Sequence, residues 1–260
     1  MKAKQLLDAL EQYAPLPLQD SYDNAGLQVG LTEEQDVTGA LLCLDVTEAI
    51  VDEAERMGCN MIVAHHPLLF RGLKSITGAS YVERCVIKAI QKGIGIYAAH
   101  TNLDNAAEGV NYRIAQKIGL TDLAFLEPKQ ADVPAGAGVI GQLPEAEDEE
   151  LFLQRVKSLF GIHSMRHNAF AGRKVKRVAL CGGAGAFLLP AAIAQGADVF
   201  LTGEIRYHDY FGHDDILMAE MGHYESEQFT IDIFADVLSA RFPQLKIVKT
   251  KLNTNPINYL

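Results

Sequence analysis

Two adjacent histidines, His65 and His66, end a short apolar run and are the residues of this sequence best suited to chemistry. The run Met61–Ala64 predicts a buried strand, and Pro67 follows the pair directly. Residues just past the carboxyl end of a buried parallel strand lie at the rim where α/β proteins bind ligands. Because imidazole is the commonest metal ligand in proteins, the pair indicates a metal site at the rim of a sheet.

The next strand is predicted at residues 94–99, and a second polar segment follows it. His100 and Asp104 in this segment offer an imidazole and a carboxylate. Because the carboxyl ends of parallel strands meet at one edge of a sheet, we expect both side chains to converge with the histidine pair. His100 is a candidate for proton transfer or for orienting a metal ligand, and its position alone does not decide between these roles.

A third group opens a predicted amphipathic helix in the second half of the chain. His223 and Glu227 are one turn apart on the same face if that helix begins near residue 223. By itself this spacing is more typical of an exposed pair on a helix surface. In the presence of the other candidate ligands, it favours participation in the same metal site.

These side chains exceed the four ligands that a single tetrahedral ion requires. Imidazoles and carboxylates in this number suit two divalent cations, with one carboxylate able to bridge them. The mixture of nitrogen and oxygen ligands is compatible with zinc, manganese, iron or nickel. We therefore expect a dinuclear centre whose metal the sequence leaves open.

The same βαβ pattern occurs twice in the chain. Residues 40–66 align without a gap with residues 178–204, and each copy reads strand, helix, glycine, strand. A third strand follows in each half, at 94–99 and at 216–219. Strands that alternate with helices in continuous apolar runs predict an α/β fold of two similar lobes with mostly parallel sheets and the metal site between the lobes.

The segment between the two copies gives the expected domain boundary. Residues 127–135 contain two prolines and show no hydrophobic periodicity, which is typical of a linker. We therefore predict a first lobe over residues 1–126, a linker over 127–135 and a second lobe over 136–260.

The rim of the second lobe carries further candidates for chemistry. Under the alignment Glu204 takes the place of His66, so Glu204 and the nearby His208 are candidate catalytic groups for proton transfer or substrate positioning. Residues 182–185, Gly-Gly-Ala-Gly, fit either a phosphate-binding turn or a plain tight turn. Asp23 and the asparagine after it favour a turn-stabilising role over direct chemistry.

Composition limits the partners and the compartment. The 260 residues suffice for one large domain or two small lobes, and 23 basic against 33 acidic residues give a net charge of −10. This balance disfavours nucleic acid and anionic membranes as partners, and no apolar run is of membrane-spanning or signal-peptide type. The four cysteines lack CxxC spacing, and Cys43 and Cys181 fall in apolar strands, which predicts a cytoplasmic protein.

Six motifs, in this order over nearly the whole chain, resemble the Nif-three-like dinuclear metal-centre family. They are SYDNAGLQVG (21–30), HHP (65–67), HTNLD (100–104), CGG (181–183), TGE (202–204) and GHYESE (222–227). The resemblance implies that the metal ligands are His65, His66, Asp104, His223 and Glu227. It further implies that Glu227 bridges the ions, with His66 and Asp104 on one ion and His65 and His223 on the other.

The resemblance also implies an activity and an assembly. Members of that family are often described as GTP cyclohydrolase I type 2 enzymes and form toroidal homohexamers. Some carry a domain inserted between the lobes, for which the short linker leaves no room here. We expect a metal-dependent hydrolase for a nucleotide or another phosphorylated small molecule. The alternative is a non-catalytic toroidal scaffold or metal-handling protein, because a fold and a ligand set do not fix a reaction.

Overall fold

The computed structural model describes residues 1–30, 35–129 and 134–260. Within these ranges the strands are β1 (Gly26–Val29), β2 (Gly39–Cys43), β3 (Met61–Ala64), β4 (Gly95–Ala98), β5 (Thr121–Pro128), β6 (Gly136–Asp148), β7 (Arg166–His167), β8 (Lys174–Cys181), β9 (Val199–Thr202), β10 (Leu217–Glu220) and β11 (Lys246–Lys249). The α-helices are α1 (Ala3–Tyr13), α2 (Glu48–Arg56), α3 (Tyr81–Gln91), α4 (Thr101–Asp104), α5 (Val110–Ile118), α6 (Glu149–Phe160), α7 (Leu189–Ala194), α8 (His223–Glu227) and α9 (Thr230–Arg241). None of these described helices combines the length and the hydrophobicity that spanning a bilayer requires.

The chain groups into two compact α/β units. The first contains Met1–Leu103 and Phe229–Pro256, and the second contains Asp104–Gln228 and Ile257–Leu260. This grouping differs from the predicted division of the chain at residues 127–135. The reason is that β5 forms a hairpin with β6 in the sheet of the second unit, whereas β11, near the end of the chain, pairs with β2 in the sheet of the first.

The predicted linker contributes to a β-hairpin. Glu127 and Pro128 end β5 and pair with Ala137 and Gly136 of β6. The Lys129 amide then donates a hydrogen bond to the carbonyl oxygen at position 135, at 2.9 Å. Residues 130–133 of the predicted linker lie outside the described residues. Pro128 therefore lies at the end of an edge strand, where its missing N–H is tolerated.

The first unit is built on a mostly parallel sheet with the strand order β1-β4-β3-β2-β11. Strands β4, β3, β2 and β11 run parallel, and β1 is antiparallel to β4. Leu41 and Ile62 pack with Ile50 of α2 and Val86 of α3 in one apolar cluster. Leu42 points to the opposite face and is also fully buried, so both faces of the sheet are covered, as a parallel sheet requires.

The second unit contains a mixed sheet with the strand order β5-β6-β8-β9-β10-β7. Its centre, β8, β9 and β10, is parallel, whereas the β5–β6, β6–β8 and β10–β7 pairs are antiparallel. The apolar cluster on one face combines Ala179 and Phe200 of the central strands with Leu189 of α7. The parallel centre is the part that the sequence pattern predicts, and the antiparallel strands extend it at both edges.

The register of the strands confirms the predicted βαβ repeat. In the first unit Cys43 of β2 pairs with Ala64 of β3, and in the second Cys181 of β8 pairs with Thr202 of β9. These are the same residues that the sequence alignment matches. The segments after β3 and β9 therefore leave equivalent points of the two sheets.

A buried carboxylate, Glu83, holds the loop that leads into α3. It accepts hydrogen bonds from the Thr77 amide (2.8 Å), the Thr77 hydroxyl (2.9 Å) and the Ala79 amide (3.1 Å), while its own amide donates to Ser80 Oγ (3.2 Å). These bonds, above all that from the Thr77 amide, stabilise the charged form and lower the pKa of Glu83 to about 2.

Glu83→Gln should test this contribution, because it keeps the shape of the side chain and removes its charge. We expect a lower urea midpoint than for the wild type at pH 7, where the ionised carboxylate contributes fully. That contribution is lost as the pH falls from the ordinary carboxyl value of 4.5 towards 2, so the difference should narrow in that direction. Glu150→Gln, on the exposed side of α6, is the control. A difference of equal size at pH 7 and pH 3.5 would contradict the assignment.

Candidate metal centre

Three histidines of the first unit converge at the carboxyl ends of neighbouring parallel strands. His65 and His66 follow β3, and His100 follows β4 after one further residue. The ring centroids are 4.9 Å apart for His65 and His66, 5.4 Å for His65 and His100, and 5.5 Å for His66 and His100. One ring nitrogen from each lies within 4.8 Å of the other two, so the group is able to hold a metal ion. We call it the histidine cluster.

An oxygen acceptor engages the Nδ1 atom of every ring in the histidine cluster. The acceptors are the Ala99 carbonyl for His65 (2.8 Å), Asp45 Oδ1 for His66 (2.7 Å) and Asp23 Oδ1 for His100 (2.8 Å). A neutral imidazole that donates through Nδ1 carries its lone pair on Nε2. An ion bound to these rings would therefore be coordinated through Nε2, with the ring orientations fixed in advance.

Asp45 lies two residues beyond the end of β2, at the same rim as the histidines. Its second oxygen, Oδ2, accepts a hydrogen bond from the Thr254 hydroxyl at 2.7 Å. Burial alone would raise the pKa of Asp45, but the hydrogen bond from His66 and the contact with Thr254 outweigh it and lower the pKa. Asp45 is therefore an ionised acceptor that orients His66. Asp45 was not predicted from the sequence, because it lies between Leu44 and Val46 at the end of an otherwise apolar run.

Asp23 has a larger role than the predicted turn. Its side chain is fully buried, and Oδ2 accepts hydrogen bonds from the Thr101 amide (3.0 Å) and hydroxyl, while Oδ1 accepts from the His100 ring. Burial opposes ionisation, but the bonds from His100 and Thr101 lower the pKa of Asp23 well below its ordinary value. Asp23 also accepts from the Asn24 amide at 2.7 Å, so it shapes the turn and orients His100 together.

The second unit repeats this arrangement around α8. His223 and Glu227, at the two ends of this short helix, bring Nε2 and Oε2 within 3.2 Å of each other. His223 Nδ1 donates to Glu204 Oε1 at 2.7 Å. Glu227 is only 4% exposed, whereas the Glu204 side chain is 60% exposed. The structure thus gives Glu204 the position of an orienting partner of His223, equivalent in kind to Asp45 beside His66.

The close approach of a glycine completes the surroundings of Glu227. Gly183 has a φ of +59°, and a Cβ at this position would overlap Glu227 Oε1 and lie 3.3 Å from His223 Nε2. Only glycine satisfies both the left-handed backbone and this contact without strain. The Cys-Gly-Gly motif is therefore explained by the space that the carboxylate and the imidazole require.

The glycine-rich turn has the simpler of its two predicted roles. The amides of Gly182, Gly183 and Gly185 donate to Asn111 Oδ1 (2.9 Å), Ser226 Oγ (3.0 Å) and Thr202 Oγ1 (3.0 Å). Amides that are already engaged by side chains do not cradle an anion. The structure therefore favours the tight turn over the phosphate-binding turn.

The remaining two candidates have different surroundings, and Asp104 has a carboxylate oxygen within 4.8 Å of a carboxylate oxygen of Glu227. Asp104 ends α4, and its carbonyl oxygen accepts a hydrogen bond from Asn111 Nδ2 at 3.1 Å. His208 is exposed in a 3₁₀ turn, where its ring centroid lies 5.2 Å from that of Tyr207 and 6.2 Å from that of Phe211. The structure thus places His208 among aromatic rings, and its catalytic role stays a prediction.

The donor atoms within each unit suit a divalent transition-metal ion. The first unit provides three imidazoles of fixed orientation, and the second provides an imidazole beside a buried carboxylate. Nitrogen and oxygen donors of this kind suit ions of intermediate softness. A buried carboxylate is costly unless it is paired, and a cation is one such partner.

The chain resembles known proteins in sequence and in fold. The DUF34/NIF3 (NGG1p interacting factor 3) family matches residues 1–256. A Lactococcus lactis protein named GTP cyclohydrolase 1 type 2 homolog is 34% identical over 265 residues, which cover 98% of each chain. The crystal structure of a Staphylococcus aureus hypothetical protein covers 100% of this chain and 99% of its own, with a TM-score of 0.91 and 28% identity. A Bacillus cereus protein related to NIF3, at 24% identity and the same coverage, shares the fold with a TM-score of 0.90. The chain therefore belongs to the DUF34/NIF3 family.

Proposed function

We propose that this protein is a dinuclear metal-dependent hydrolase that acts on a nucleotide or another phosphorylated small molecule. The observation that carries the proposal is the engagement of Nδ1 by an oxygen acceptor in four of the five candidate histidines, namely His65, His66, His100 and His223. Metal-binding histidines almost always have such a partner, because it fixes the tautomer and raises the basicity of the coordinating nitrogen. A relative named GTP cyclohydrolase 1 type 2 homolog supports a nucleotide as the substrate.

The proposed ligands of the two divalent ions are those that the family resemblance implies. They are His65, His66, Asp104, His223 and Glu227, with Glu227 bridging. Zinc, manganese, iron and nickel all suit this set of nitrogen and oxygen donors. When bound, two such ions supply hydroxide near neutral pH and compensate negative charge on a substrate.

The residues around the ligands would position the reaction. Asp45 and Glu204 hold the rings of His66 and His223, so little reorganisation is needed when an ion binds. His100, held by Asp23, presents Nε2 as a group that can accept or release a proton, and His208 is a second candidate for this step. For GTP, the proposed reaction adds water at the imidazole carbon of the guanine and opens that ring.

The assembly and the compartment belong to the same proposal. A homohexamer follows from the family resemblance, and a cytoplasmic location follows from cysteines that are not paired with one another. Light scattering of the purified protein measures the assembly, and a mass other than six chains would contradict it.

Gly183→Ala should lower the amount of metal that the protein binds. The added methyl group overlaps Glu227 Oε1, so the bridging carboxylate would be displaced. Gly172→Ala is a matched control, because Gly172 also has a positive φ (+72°) but no atom within 4 Å of the added Cβ. We expect the number of metal ions per chain, measured by mass spectrometry after dialysis, to fall by more than about half in Gly183→Ala and to stay unchanged in Gly172→Ala. The reason is that residues packed against a metal ligand affect metal affinity. Equal losses in the two variants would assign the effect to backbone strain.

Hydrolysis should depend on the ligands and, to a smaller degree, on Asp45. Metal-loaded protein is tested with GTP and a panel of phosphoesters. His66→Ala and Asp104→Ala should abolish turnover, and Asp45→Asn should lower kcat/KM by about 10- to 100-fold, as for other orienting partners of metal ligands. Asp52→Asn, which changes a surface carboxylate paired with Lys88, is the control for the charge change. If metal-loaded wild type shows no turnover, or if turnover survives both ligand substitutions, the non-catalytic scaffold is the better interpretation.

A further inference from the structure

Two exposed aromatic side chains border the histidine cluster. Phe70 is 44% exposed and Tyr22 is 62% exposed, and their ring centroids are 6.4 Å apart. The Phe70 ring lies 6.1 Å from the His100 ring, at an interplanar angle of 87°. Other large aromatic side chains, such as those of Tyr97 and Phe152, are fully buried and offer no surface to a ligand. The aromatic pair Tyr22–Phe70 therefore offers apolar surface directly beside the proposed reaction site.

Hydrogen bonds hold the backbone that carries Phe70. The Leu69 amide donates to Gln28 Oε1 at 2.6 Å, and the Leu69 carbonyl accepts from Asn24 Nδ2 at 2.7 Å. The Tyr22 hydroxyl donates to Asp20 Oδ2 at 3.1 Å. A surface that is fixed in this way loses little conformational entropy when a ligand packs against it.

We infer that Tyr22 and Phe70 form a wall against which a planar heteroaromatic ring of the substrate stacks. This inference rests on the proposed function and narrows its substrate class. Aromatic faces bind any planar base by stacking, whereas an aliphatic phosphoester gains nothing from them. Arg71 and Lys74 are exposed in the segment that follows Phe70 and supply positive charge suited to phosphate groups. The ligand that combines these features is a nucleotide with its base against the aromatic pair.

A second copy of the chain is the other occupant that an exposed aromatic pair could receive. The nucleotide is favoured because the pair is continuous with His100 through a ring contact and is followed by two cations in a chain of net charge −10. The two occupants differ in what a substitution would change. Loss of a nucleotide wall alters ligand affinity, whereas loss of an interface alters the mass of the assembly.

The test compares two ligands that share a triphosphate. 7-Deaza-GTP has a planar base whose five-membered ring lacks the nitrogen needed for hydrolytic opening, and inorganic tripolyphosphate has no base. Both are titrated into metal-loaded protein by calorimetry, with Phe70→Leu removing the ring and Phe70→Tyr retaining it. Ile90→Ala is the control, because Ile90 is also an exposed apolar residue. It lies near the end of α3, whereas the loop after Phe70 leads into the start of that helix.

Phe70→Leu should weaken 7-deaza-GTP binding by about tenfold, the size expected for one base–aromatic stack, and leave tripolyphosphate binding unchanged. Phe70→Tyr and Ile90→Ala should bind both ligands as the wild type does. Equal affinity of the wild type and Phe70→Leu for 7-deaza-GTP, an equal loss for both ligands, or no binding by the wild type would overturn the inference. A changed mass of Phe70→Leu in light scattering would instead assign the pair to an interface between copies.

These titrations, together with the turnover assay on GTP and phosphoesters, separate this inference from the proposed function. If the affinity for 7-deaza-GTP depends on the Phe70 ring but the protein shows no turnover, the stacking wall is supported and the hydrolase function is contradicted. If phosphoesters are turned over but the affinity for 7-deaza-GTP does not change in Phe70→Leu, the hydrolase function is supported and the stacking wall is contradicted.

Discussion

The hydrogen bond from imidazole Nδ1 to a fixed oxygen is the interaction on which the candidate site depends. In four histidines it determines which nitrogen faces a ligand and prevents the ring from rotating. The acceptors differ in kind, since one is a backbone carbonyl and three are carboxylates. What they share is a position set by the fold, so the site needs no rearrangement to present its donors. This arrangement also explains why buried or partly buried carboxylates such as Asp23 and Asp45 are tolerated, because each is ionised and satisfied by several donors.

The parallel strands of the first unit are what make these contacts possible. Cys43, Ala64 and Ala98 pair across β2, β3 and β4, so the three strands end at the same level of the sheet. The polar segments that follow them then place Asp45, the His65–His66 pair and His100 beside one another. A shift of one residue in any pairing would turn a donor away from the cluster, because side chains alternate between the faces of a strand. The chemistry is thus a consequence of the strand register.

The sequence predicted the parts of the structure that local pattern controls. Apolar runs at residues 61–64 and 94–99 predicted β3 and β4, and the rule for carboxyl strand ends placed His65, His66 and His100 beside them. The spacing of four predicted that His223 and Glu227 would share a helix face. Other features depend on contacts between distant segments. The first unit ends with α9 and β11 because β11 pairs with β2, and no local pattern records that pairing. The role of Asp23 beside His100 likewise spans 77 residues, and a turn signal hid it.

The most direct measurement is an anomalous-difference map from crystals of the untreated protein. We propose that two ions share the five ligands and that His65, His66 and His223 each coordinate through Nε2. The map should show two peaks, one beside His66 and Asp104 and the other beside His65 and His223, with Glu227 reaching both. A single peak, no peak, or an ion coordinated through Nδ1 would contradict the account.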